Sequence, residues 1–165
     1  MEKLFEILSP IGNDVALFIV SLIPFIELRG GIVLGDALAL DPLRTFLICF
    51  LANCIPVPFV ILLTRTIFSW LKKTKLLSGF VNRLEVKLQK KSGQITEHKF
   101  WFIGLMLLVA IPLPGTGAYT GSLIAALLDM RLKKAFPAIV LGVFVAAVIM
   151  TLASMGLFSA IGYIL

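Results

Sequence analysis

Histidine occurs once in this chain of 165 residues, cysteine twice and acidic residues nine times, and that scarcity removes several kinds of chemistry. A zinc or iron centre needs clustered histidine, cysteine or carboxylate ligands, and His98, Cys49 and Cys54 have no such spacing. The two cysteines share one apolar stretch with no partner cluster, which makes them packing residues. No Ser/His/Asp or Cys/His arrangement, phosphate-binding loop or dinucleotide fingerprint is present. The sequence therefore carries no enzyme signature and calls for no metal and no cofactor. The "RGG" at residues 29–31 is too short and too apolar in setting for an RNA-binding repeat, so nucleic acid is not expected as a partner.

Charge is missing altogether from four long runs, residues 15–26, 45–64, 100–128 and 135–165. With 59% hydrophobic residues and a mean hydropathy of +1.05, a chain of this size cannot hide its apolar surface from water. The runs extend through the whole sequence, so a single cleaved leader does not account for them. They define an all-α, multi-pass membrane protein.

The formal net charge is +6, and residues 72–99 hold all of it: eight Lys/Arg against Glu85 and Glu97. A basic segment between apolar ones is cytoplasmic by the positive-inside bias, in a cell (plasma) membrane, and its charge suits anionic lipid headgroups. An amphipathic surface helix is expected over 76–88. This linker divides the chain into a first membrane repeat, 1–71, and a second, 100–165. Sliding one half over the other by 88 residues brings Ile23-Pro24 onto Ile111-Pro112 and Leu40-Asp41 onto Leu128-Asp129, although the glycine clusters do not coincide.

Crossing the hydrocarbon takes about 20 helical residues, and proline and glycine cut the runs shorter than that. Residues 15–24, 31–41, 100–111 and 117–128 are each half-length pieces. Two such pieces around a break form a re-entrant hairpin that turns near the midplane and leaves by the side it entered. The hairpins are expected at about 15–41 and 100–128, followed by long helices at about 45–71 and 135–165, the first bent at Pro56-Val57-Pro58. Each half then crosses once, so the second repeat is inverted relative to the first. The linker and the cluster Arg131, Lys133 and Lys134 fall on one side, which collects eleven of the fifteen basic residues. The small cross-section of so few crossings accommodates a homodimer.

Two stretches carry candidate chemistry, "IPFIELRGG" at 23–31 and "IPLPGTGAYTG" at 111–121. Glu27 and Arg29 fall at the tip of the first hairpin, where each charge costs several kcal/mol unless it is paired or faces water. They read either as a functional pair or as an ion pair that fixes the fold. Helices starting at Gly30-Gly31 and near Gly117 would aim free N–H groups at the centre. Together with Arg29, Thr116 and Thr120, they suit a phosphate or carboxylate. Gly115 and Gly117 let backbone approach a ligand, and Pro112 and Pro114 keep the tip extended. Asp36, Asn53 and Thr120 are candidates for the cavity wall. Tyr119 is an interfacial anchor or a cavity wall, and Arg65 can snorkel to the interface.

These motifs, with "NCIPVPF" at 53–59, resemble the signature segments of the small multi-drug export proteins, whose plan is similar to that of the DedA superfamily. Against that pattern, Val33 stands where many relatives carry proline and Tyr119 where they carry tryptophan. The resemblance implies paired re-entrant hairpins, with Glu27, Arg29, Pro112, Pro114, Thr116, Gly117 and Tyr119 at the site. The superfamily includes transporters of undecaprenyl phosphate, whereas the family name implies drug efflux. Three functions follow as expectations. One is a flippase or secondary transporter for a lipid phosphate or similar anionic amphiphile, with Glu27 exchanging the coupling proton. The others are a proton-coupled exporter of cationic drugs, and a membrane assembly or lipid-sensing protein.

Overall fold

The computed structural model describes residues 12–73, 98–113 and 115–162, with side chains for 12–70, 101–113 and 115–156. Among the described residues there are seven helices and no strand: α1 Asn13–Leu22, α2 Glu27–Ala37, α3 Pro42–Cys54, α4 Pro56–Lys73, α5 His98–Ala110, α6 Ala118–Leu127 and α7 Leu132–Gly162. The surface helix expected over 76–88, most of the basic linker, and Pro114 lie outside the described residues.

Proline and backbone hydrogen bonding set the breaks. α1 stops before Pro24, with Ile23 extended at φ −70 and ψ 125, as the residue ahead of a proline tends to be. The Ile23 carbonyl then accepts N–H bonds from both Ile26 (3.1 Å) and Glu27 (2.9 Å), and this turn starts α2. The expectation of a helix beginning at Gly30-Gly31 is corrected: α2 begins at Glu27, and the Gly30 N–H bonds back to the Ile26 carbonyl at 2.9 Å. The second break is longer. It passes through Gly115, whose φ of +85 favours glycine, and α6 starts after Gly117.

α2 and α6 end alike. Leu38, Ala39 and Leu40 donate to Leu34, Asp36 and Gly35, and Leu128, Asp129 and Met130 donate to Ile124, Ala126 and Ala125. Ala39 (φ 53) and Asp129 (φ 50) take the left-handed conformation that closes such ends. The Asp41 carboxylate then caps α3 by accepting the Arg44 N–H at 2.8 Å. α3 and α4 follow one another with a bend at Ile55, where Pro56 has no N–H to continue the ladder.

At roughly 1.5 Å per residue, α1, α2, α5 and α6 reach only about 15–20 Å, short of a hydrocarbon core of about 30 Å. The stretches Pro42–Trp70 and Leu132–Gly156 are long and apolar enough to cross, with 28% and 39% of their most apolar windows buried. A core helix of a water-soluble protein would be mostly covered. Here Leu43, Phe59, Leu63 and Leu152 stand open, which suits a lipid surround and identifies a membrane protein.

α1, α2 and α3 pack on one another, and α5 lies along α7 with α6 against both. The two groups interlock through α2 on α7 and α6 on α4. Gly31 is pressed against Ser21 and Cys49, and Gly121 against Val109 with Ile139 in ordinary contact; a Cβ would overlap Ser21 and Cys49 at the first and Val109 at the second. A shift of 88 residues carries Ser21 onto Val109, and a shift of 90 carries Gly31 onto Gly121 and Cys49 onto Ile139. The second break (111–117) is three residues longer than the first (23–26) and α6 is one residue shorter than α2, which together give the two-residue change of shift. The longer break brings Gly31 onto Gly121, while Gly30 and Gly35 fall on Thr120 and Ala125.

Candidate functional site

A helix that stops at membrane depth leaves carbonyls and N–H groups that water cannot reach, so side chains must meet them. At the end of α1, the Ser21 carbonyl accepts Asn53 Nδ2 at 3.3 Å and the Leu22 carbonyl accepts the Tyr119 hydroxyl. Past the end of α5, the Ile111 carbonyl accepts Arg29 Nη2 at 3.1 Å. The Thr116 hydroxyl accepts a bond from the same Arg29 nitrogen at 3.1 Å and lies 2.8 and 2.9 Å from the Ile111 and Leu113 carbonyls. Each broken end is thus held by a side chain from another element or from the far side of the break.

Glu27 deals with the start of α6. Only 8% exposed, its carboxylate lies against Gly117, beside the Tyr119 backbone N–H, where the positive end of the helix dipole favours an anion. A Cβ at Gly117 would overlap this carboxylate, so glycine here makes room for the contact. At the start of α6, where free N–H groups are expected, the protein's own carboxylate sits beside that of Tyr119. Among the described residues, Glu27 and Arg29 form no ion pair with each other.

Glu27, Leu28, Arg29, Asn53, Val109, Gly117, Ala118, Val143 and Ala146 line a shared cavity. Its open space admits about one water molecule, beside the buried Asn53 Oδ1, which has no partner. A headgroup or drug would need the helices to part.

Of the residues expected at the site, Glu27, Arg29, Asn53 and Gly117 line this cavity, and Thr116 and Tyr119 bond at its edge. Gly115 is exposed and Pro112 half-buried in the second break. Gly30 lies in the first turns of α2, and Gly31 is a packing contact. Asp36, expected on the same cavity, lines a different one with Ser154, because it lies more than two turns along α2 from Glu27. Thr120 lines neither cavity. Arg65 bonds the Met130 carbonyl and sits 3.7 Å from Asp129, at the turn between α6 and α7. Leu28, Val143 and Ala146 had no signal in the sequence, being ordinary apolar residues in apolar helices. No group of three His, Cys, Asp or Glu able to hold a metal occurs among the described residues.

A model of the family described as "Putative small multi-drug export protein" matches residues 27–149, which include both broken segments from Glu27 onward. No curated protein and no solved structure matches the chain.

Proposed function

The chain belongs to the small multi-drug export protein family, and from that premise we propose a proton-coupled transporter that moves an amphipathic substrate with an anionic phosphate headgroup. The observation that carries this reading is the Glu27 carboxylate seated on the start of α6 beside Arg29. An internal anion already occupies the place that suits an external one. When Glu27 takes a proton it loses its hold on the helix end. A headgroup then takes the N–H groups and Arg29, whose planar fork suits phosphate oxygens. Release of the proton returns Glu27 to α6 and expels the substrate. Because the closed cavity holds only about one water, this exchange includes an opening motion, alternating access between the two faces.

The proposed architecture is two inverted repeats, each a re-entrant pair and a long helix, with residues 72–99 cytoplasmic in the plasma membrane. Support comes from the four short helices, the identical ends of α2 and α6, and the paired contacts of Gly31 and Gly121. A second reading, export of cationic drugs, draws on the family's description. In it, Glu27, the one carboxylate on the cavity, binds drug and proton in turn.

Native mass spectrometry of the purified protein with a polyprenyl phosphate, an anionic phospholipid and a cationic dye separates the two. The expected result is a phosphate-lipid adduct that Arg29→Ala weakens about ten- to a hundredfold, the loss of a charge-assisted pair. Dye binding that survives Arg29→Ala and fails in Glu27→Gln would overturn the anionic reading in favour of drug export.

A further inference from the structure

Away from Glu27, the cavity that holds Asp36 has apolar walls from Ile32, Leu40, Pro42 and Met155, and oxygen-bearing side chains from three helices meet in it: Asp36 of α2, Thr45 of α3, and Thr151 and Ser154 of α7. The Ser154 hydroxyl bonds the Asp36 carboxylate. The hydroxyl oxygens of Thr45 and Thr151 are buried with no hydrogen-bond partner, and Thr45 as a whole is only 3% exposed. That is unusual for helical hydroxyls, which ordinarily bond the carbonyl one turn back. Thr66 and Ser122 in this chain do so, onto Leu62 and Ala118. Leaving two hydroxyls unmet in an apolar setting is costly, and a ligand that binds oxygens removes the cost.

The corresponding place in the other half tests whether packing alone explains these residues. The 90-residue shift that matches Gly31 to Gly121 carries Asp36 to Ala126, Thr45 to Ala135, and Thr151 and Ser154 back to Ile61 and Thr64. Ala126, Ala135 and Ile61 are all buried core residues. The fold closes there with apolar side chains at three of the four places and the buried hydroxyl of Thr64 at the fourth, so nothing in the packing requires a carboxylate and two threonines here.

We propose that Asp36, Thr45, Thr151 and Ser154 bind a monovalent cation, of which sodium is the natural size. The cavity takes a body about as large as one water. Its side-chain oxygens are hard donors, and its single carboxylate neutralises one positive charge, whereas divalent ions are usually held by more carboxylates. Asp36 also lies in the last turn of α2, which carries no basic residue, so the negative end of the helix dipole adds to the attraction. A bound cation would tie α2 to α3 and α7 without touching the Glu27 cavity.

The test is equilibrium binding of radioactive sodium to the full chain in lipid nanodiscs, at constant ionic strength set with choline chloride. Wild type should bind saturably, unlabelled sodium should compete, and choline and magnesium should not. Asp36→Asn should weaken binding about ten- to a hundredfold, as expected for loss of a charged ligand. Thr45→Val/Thr151→Val, which removes only the hydroxyls, should weaken it while the protein still melts cooperatively. Glu27→Gln should bind sodium like wild type, which keeps this site's fate separate from that of the transport reading. Wild-type binding no better than choline-saturated background, full binding by Asp36→Asn, or stronger competition by magnesium would overturn the proposal.

Discussion

A carboxylate at 8% exposure must find donors or lose its charge, and Glu27 lies against the start of a helix ninety positions away in the chain. Gly117 makes this contact sterically possible, so the two residues should behave as one unit. Gly117→Ala should cost about 1–3 kcal/mol of stability by overpacking. The same substitution in a Glu27→Ala background should cost clearly less, because the overlapping group is gone. Thermal unfolding of the four proteins in lipid gives the coupling, and equal costs in both backgrounds would show that the two side chains act independently. At this scale the sequence points to the right residues and to only part of their roles. Charge inside an apolar run singles out Glu27 and Arg29, and glycine between prolines singles out Gly117. That the carboxylate itself sits at the start of α6 depends on a contact between positions 27 and 117, which no local pattern encodes.

Among the helices, proline and glycine make the half-lengths legible, and the second pair falls within two residues of its expected ends. The start of α2 departs from the expectation because Gly30-Gly31 has the composition of a break. In the folded chain the turn at the Ile23 carbonyl starts the helix, and Gly31 serves close packing instead. The bend between α3 and α4 follows from Pro56 as expected. What the bend achieves is visible only in three dimensions: Asn53 just before it reaches the Ser21 carbonyl at the end of α1. Asn53→Ala should leave that carbonyl unmet at a cost of about 1–3 kcal/mol. Hydrogen exchange should show faster opening confined at first to the last turn of α1, whereas uniform acceleration across α1 to α3 would point to general loss of packing.

For the whole molecule, hydropathy and charge distribution identify a multi-pass membrane protein without reference to any fold. They do not reveal the interlock of α2 on α7 and α6 on α4, which brings both broken segments to one cavity. The inverted arrangement rests on sidedness. In the proposed arrangement each short pair returns to the face it entered, and the two pairs enter from opposite faces. Thiol labelling in oriented vesicles tests this most directly, using single cysteines at Asn13, Leu38 and Lys133 in a chain freed of Cys49 and Cys54. A membrane-impermeant reagent should reach Asn13→Cys and Leu38→Cys from one face and Lys133→Cys only from the other. Reaction of Asn13→Cys and Leu38→Cys from opposite faces would mean that α1 and α2 together cross the bilayer, and would contradict a midplane site between two re-entrant pairs.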